Sequence, residues 1–225
     1  MSEAGRDPFS QLLYPMLSPQ PAVGKEVILE LARAPLEKSA ESNRLRRQLV
    51  DEYAGSILGA GQRMADAFRR GGRLLALGNG GSATSAADMV TELMVPPAGV
   101  QSLPGLCLTN DIAVVTGVSN DVGFDDIFVR QIIALARPDD VVVAFSTSGN
   151  SENLVRGLRE ARRRGLLTIA ICGHEGGRMA REHCADYCFI VRSSSVHRIQ
   201  EVQMTLYHVL TELVQRSLEG DPLCA

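Results

Sequence analysis

GNGGSATSAADMVTEL, residues 78–93, joins a turn rich in glycine and serine to a helical pattern that carries an acid at Glu92. FSTSGNSENL, residues 145–154, repeats the design. Each follows a short apolar run, residues 73–77 and 141–145, and each leads into a helical pattern, so each reads as a strand, a tight loop and a helix N-terminus. Backbone N–H groups and the positive end of the helix dipole attract anions at such a junction. Hydroxyls add donors, and glycine removes the Cβ that would block close approach.

Outward from these two turns, short apolar runs alternate with helical patterns. The runs are 73–77, 105–109, 140–146, 167–172 and 186–191, and the helices are expected over 82–95, 111–118, 125–136, 151–164, 176–181 and 196–218. Five strands alternating with helices predict an α/β fold, a doubly wound three-layer α/β/α sandwich on a five-stranded parallel sheet. Ligands bind such sheets at the carboxyl ends of the strands, so the two turns can converge on one ligand. Ahead of the sheet, Leu45, Leu49, Tyr53, Ile57, Ala60, Met64 and Phe68 form one apolar stripe over a helix from 42 to 68. A shorter helical pattern over 24–34 is expected to stop at Pro35, and residues 1–22, with four prolines, read as an extended arm ahead of a single domain over 23–220.

The chain has 225 residues, a net charge of -3 and no apolar run that could span a bilayer, which predicts a soluble cytoplasmic protein without a membrane or nucleic-acid partner. The arginines at 44, 46, 47 and 162–164 read as solvated helix faces. Five cysteines in no paired pattern read as reduced thiols, and His183, Cys184 and Cys188 match no standard zinc spacing.

Neither turn reads GxGxxG, and GxxxxGK[ST] is absent, which argues against a dinucleotide or ATP. Ser146, Thr147, Ser148 and Ser151 instead gather hydroxyls around a bend at Gly149, which suits a terminal phosphomonoester. The competing reading is a polar turn whose Ser151 caps the next helix. Capping uses one hydroxyl and leaves the others unexplained.

GNGGS at 78–82, the acid at Glu92, Asn120 and Asp121 followed by Gly123 and Phe124, STSGNS at 146–151, RIQE at 198–201 and the later His208 resemble the phosphoheptose isomerases of the sugar isomerase (SIS) domain family. The resemblance covers roughly residues 45–215. It implies conversion of sedoheptulose 7-phosphate to glycero-manno-heptose 7-phosphate, with Glu92 and His208 as the catalytic pair. It also implies substrate contacts from Asn79, Gly80, Gly81, Ser82, Asn120, Asp121, Ser146, Thr147, Ser148, Ser151 and Gln200. A homotetramer with sites between subunits is the partner arrangement it implies. The chemistry agrees, since moving a carbonyl between two sugar carbons needs one base for a carbon-bound proton and a second group for the hydroxyl proton.

Zinc-binding members of the family place His four residues before the catalytic Glu, and this chain has Asp88 there. Zinc held by Asp88, Glu92, Gln200 and His208 is the resulting expectation, with a shorter and more anionic first ligand. Gln200 and His208 are about 12 Å apart along one helix, so one metal sees both only if the side chains lean together or different subunits contribute. After Glu92, LMVPPAG over 93–99 stands where these isomerases carry an arginine, which predicts a more apolar pocket entrance and a related phosphosugar as an alternative substrate. The rival function is a non-catalytic SIS domain that binds phosphosugars or protein partners, as the replication-initiator-associating relatives do. Those relatives tend to lose the C-terminal histidine that this chain keeps.

Overall fold

The computed structural model describes residues 25–220. The expected arm lies outside them. The chain divides between Ala40 and Glu41 into two compact units, and every site residue named above belongs to the second. Helix α1 (Lys25–Arg69) is continuous and contains Pro35, so the expected stop at that residue does not occur. Proline removes one helical hydrogen bond, but the residues beside it, Ala32, Arg33, Ala34, Glu37 and Lys38, favour helix enough to carry the backbone through.

The sheet consists of β1 (Leu74–Gly78), β2 (Gly105–Cys107), β3 (Val141–Ser146), β4 (Leu167–Gly173) and β5 (Tyr187–Val191), all parallel in the order β2-β1-β3-β4-β5. Between and after them come α2 (Gly81–Met94), α3 (Ile112–Asp121), a 3₁₀ turn (Phe124–Asp126), α4 (Ile127–Leu135), α5 (Glu152–Arg163), α6 (Gly177–Arg181) and α7 (Val196–Glu219). The expected helix over 125–136 therefore begins as a 3₁₀ turn.

β1, β3 and β4 are buried along their whole lengths, as a parallel strand covered on both faces requires. Alternation along the strands divides the core in two. Leu74, Ala76, Val143, Phe145 and Ile171 face α2, α7 and the residues of α1 from Leu45 onward, whereas Leu75, Leu77, Val142, Ala144 and Ala170 face α4 and α5. The chain leaves β1 toward β2 and then returns to place β3 on the other side of β1. The order of strand addition thus reverses between β1 and β3, the two strands that feed the two serine-rich turns. This reversal point is where parallel sheets open a crevice for ligands.

Candidate functional site

The first turn runs from β1 into α2 through Asn79 and Gly80, the latter at φ 54°, a left-handed value that glycine tolerates without strain. Gly80 and Gly81 are exposed, Ser82 is buried, and no side chain caps α2. The second turn bends at Gly149, φ 65°, and leads into α5. Ser151 occupies the N-cap of α5 without making a capping hydrogen bond, so its hydroxyl is not spent on the helix end. By contrast, Asp111 accepts from Val114 N–H at the start of α3, and Ser195 accepts from Arg198 N–H at the start of α7. The N-caps of the helices that open onto the switch point make no side-chain capping bond; Leu154 N–H is taken by Asn153 Oδ1, and the N–H groups of Gly80, Gly81, Glu152 and Asn153 are the ones open to an anion.

The hydroxyls of the second turn do not all have one job. Ser146 is buried, and its Oγ accepts Gly149 N–H at 2.9 Å, bracing the bend from inside. Thr147, Ser148 and Ser151 are half-buried and form the outer wall. Asn153 is a residue that no motif announces. Its side chain is buried and exchanges two hydrogen bonds with Asn79, at 2.9 and 3.0 Å, which ties the two turns to each other.

Helix α7 runs alongside α2 and reaches the site at four heights. Gln200 stands against the first turn, so close that a Cβ at Gly81 would lie 2.4 Å from its Nε2. Gln203, fully buried, donates from Nε2 to the carbonyls of Ile171 (3.0 Å) and Ser146 (3.3 Å), pinning the carboxyl ends of β4 and β3. Tyr207 donates its hydroxyl to Asp88 Oδ2 on α2. One turn further along α2, His208 Nδ1 lies 3.0 Å from Glu92 Oε2. Desolvation of Tyr207, and its hydrogen bond to Asp88, push its phenol well above the ordinary range, so it stays a hydrogen-bond donor.

The structure thus joins Glu92 to His208, Asp88 to Tyr207, Gln200 to Gly81, and the two turns to one another. Asn120 and Asp121 sit apart at the end of α3, exposed, with Asn120 Nδ2 donating to Asp121 Oδ1 at 2.8 Å. Among the described residues they have no hydrogen bond to the turns or to α7. Glu92 itself is distant from the cradle of its own chain. At about 1.5 Å per residue it lies about 16 Å down α2 from Gly81.

The donor set does not fit a metal within one chain. Among the described residues no group of three or more His, Cys, Asp and Glu side chains is placed to hold one. Asp88 is engaged by Tyr207, and Gln200 sits by Gly81, two turns of α7 from His208. Cys107, Cys172, Cys184 and Cys188 are free thiols.

The chain matches the SIS domain family over residues 39–173. A phosphoheptose isomerase of Aquifex aeolicus is 43% identical over 176 residues, which span 78% of this chain and 91% of that protein. The Roseiflexus phosphoheptose isomerase is 39% identical over 77% of this chain and 88% of its own. The chain belongs to the phosphoheptose isomerase family. Solved phosphoheptose isomerases superpose on it with TM-scores of 0.76 for the Francisella tularensis protein and 0.74 for that of Neisseria gonorrhoeae. The first is 28% identical over 84% of this chain and 98% of its own, the second 31% identical over 82% and 98%.

Within that family frame, the residues that sequence reading misses are Asn153, Gln203 and Tyr207. Gln203 carries a signal, being a polar residue at a core position of α7 among Ile199, Val202, Leu206 and Leu210. Tyr207 blends into the same stripe, and only its partner reveals it. No described helix is long and apolar enough to cross a membrane.

Proposed function

We propose that this chain isomerises sedoheptulose 7-phosphate to D-glycero-D-manno-heptose 7-phosphate through an enediol. The observation that carries the reading is the Glu92–His208 pair, an acid and an imidazole in hydrogen-bond contact on neighbouring helices of a phosphosugar fold. The turns at 79–82 and 146–151 hold the phosphate by backbone N–H groups, helix N-termini and the hydroxyls of Thr147, Ser148 and Ser151. Glu92 takes the proton from C1 of the ketose and returns it to C2. His208 relays the proton between the C1 hydroxyl and the oxygen on C2, so that the carbonyl moves by one carbon with no net gain or loss of protons. Its contact with Glu92 orients the imidazole and leaves the other ring nitrogen for the substrate.

The cradle and the acid–imidazole pair that act on one sugar belong to different subunits. With C–C bonds of about 1.5 Å, a seven-carbon chain reaches less than about 10 Å before its phosphate, against roughly 16 Å of rise along α2 between Gly81 and Glu92, which favours a cradle brought by a neighbour. The pair is also open to a neighbour, with the His208 side chain 47% and that of Glu92 33% exposed. Apolar residues support association. Val50 and Leu58 on α1 and Met204 and Val209 on α7 face outward. At the β2 edge, a hollow of about 710 Å³ is lined by Val90, Met94, Leu106, Leu108 and Val114, and none of the expected site residues lines it. A homotetramer in the cytoplasm is the arrangement we infer.

The test is to incubate the purified protein with sedoheptulose 7-phosphate and follow the aldose product, beside Glu92→Gln and His208→Ala. Turnover by the parent chain and its loss in both variants is expected. Activity that survives both substitutions removes the mechanism. No turnover on any five- to seven-carbon phosphosugar, with phosphosugar binding retained, favours the regulatory SIS-domain reading instead.

A further inference from the structure

Asp88 and Glu92 are one turn apart on the same face of α2, an arrangement in which two carboxylates repel each other. Helix α7 answers them with two adjacent residues, Tyr207 to Asp88 and His208 to Glu92. The tyrosine is held from three sides. Its ring meets Phe145 edge to face, with centroids 5.8 Å apart and planes at 87°, and lies 4.5 Å from the His208 ring. Only 1% of Tyr207 is exposed. Phe145 directly precedes Ser146 at the base of the second turn, so one buried side chain connects the phosphate cradle, the carboxylate of Asp88 and the imidazole of His208.

We propose that the Tyr207–Asp88 hydrogen bond takes the place of a metal in this chain, acting as a metal-free clamp that positions the Glu92–His208 pair. A metal that took the tyrosine's place on Asp88 Oδ2 would leave that hydroxyl buried without a partner. Gln200, the other expected ligand on α7, is held against Gly81, about two turns from His208, so one chain alone does not bring it to the same ion. Tyr207 is therefore a positioning residue. It fixes Asp88 away from Glu92 and sets the ring plane of His208, while the proton transfers stay with Glu92 and His208. The clamp's effect on turnover rests on the isomerase reading above, but the absence of a metal requirement does not.

Two measurements test it on the full-length protein. The first is zinc content by elemental analysis after dialysis against a chelator, with a competition titration against a chromophoric zinc indicator. The parent chain is expected to keep no stoichiometric zinc and to turn over at the same rate before and after dialysis. Tyr207→Phe keeps the ring and removes the hydroxyl that competes for Asp88, and should bind zinc about 10-fold more tightly or better. The second is a double-mutant cycle read in kcat and KM. Tyr207→Phe and Asp88→Ala should each lower kcat by about 10-fold with KM unchanged, and the double variant should fall no further, because both break one contact. One equivalent of zinc surviving the chelator, turnover lost on dialysis and restored by zinc, or a Tyr207→Phe variant with unaltered zinc affinity overturns the proposal. Additive losses in the double variant overturn it as well. If Tyr207→Phe does not fold, as judged by its melting curve, zinc content of the parent chain and the Asp88→Ala variant still decide. A parent chain inactive on the heptose phosphate contradicts the isomerase reading alone, and the zinc measurement keeps its meaning.

Discussion

The two ends of α2 are built differently. At its N-terminus the turns are tied by the Asn79–Asn153 pair, braced by Ser146 and pinned from below by Gln203, so the two turns are held together within one chain. Toward its C-terminus the Glu92–His208 pair is half-open to solvent, about 16 Å down the helix from Gly81. A binding site made rigid by internal hydrogen bonds can be preformed in a monomer, whereas a reacting pair left on a surface acquires its substrate only when a second cradle comes over it.

The largest effect expected is on the open end. Glu92→Gln keeps shape and removes the base, so kcat should fall by about 10²- to 10⁴-fold with KM little changed, as steady-state kinetics would read. At the closed end, Ser148→Ala removes one donor to a phosphate. A hydrogen bond to a charged group is worth about 1.5–3 kcal/mol, so KM should rise by about 10- to 100-fold while kcat holds. Mixing sharpens the contrast. If Glu92→Gln chains and cradle-damaged Gly149→Ala chains are each inactive and are assembled together, sites with both intact halves should return about a quarter of the parent activity by random pairing. A mixture as dead as its components would put cradle and pair back into one chain. Asn153→Ala should cost about 1 kcal/mol of stability in a denaturant melt, since it leaves the half-buried Asn79 amide without its partner. The smallest effect belongs to the far end of α5. There the guanidinium of Arg163, helped by that of Arg164, holds Glu160 at about 2 against desolvation, which pulls the other way. A depressed carboxyl adds stability above its unfolded value of 4.5 and loses it as pH falls toward 2. Glu160→Gln should therefore cost less than about 1 kcal/mol at neutral pH and nothing near pH 2, with kcat untouched.

Much of this architecture is legible in the amino-acid sequence, and for local reasons. β1 and β3 are continuous apolar runs ended by glycine or serine, and each turn carries its own conformational signature, so these strands and the helices after them fall within a residue or two of expectation. Glu92 and His208 are legible as types in a motif, and their meeting follows from α2 and α7 packing side by side. Pro35 misleads because a local rule is overridden there by neighbouring helix formers. Asn153 and Gln203 stay hidden because their partners lie 74 and up to 57 residues away along the chain, and a hydrogen bond between distant segments leaves no periodic trace. Ser146 reads as one more outer hydroxyl because sequence does not say which way a serine points.

Behind the second turn, main chain rests on main chain. A methyl group at Gly149 would sit 2.0 Å from the carbonyl oxygen of Gly176, one at Gly177 would sit 2.4 Å from that of Ser148, and Met179 N–H reaches back to the Gly149 carbonyl at 3.0 Å. Both Gly149 and Gly177 hold left-handed geometry at this joint. Such a seam has no adjustable part. Natural variation or laboratory selection that needs the second turn to shift will find no room at this joint, and any change of shape has to be made elsewhere in the chain.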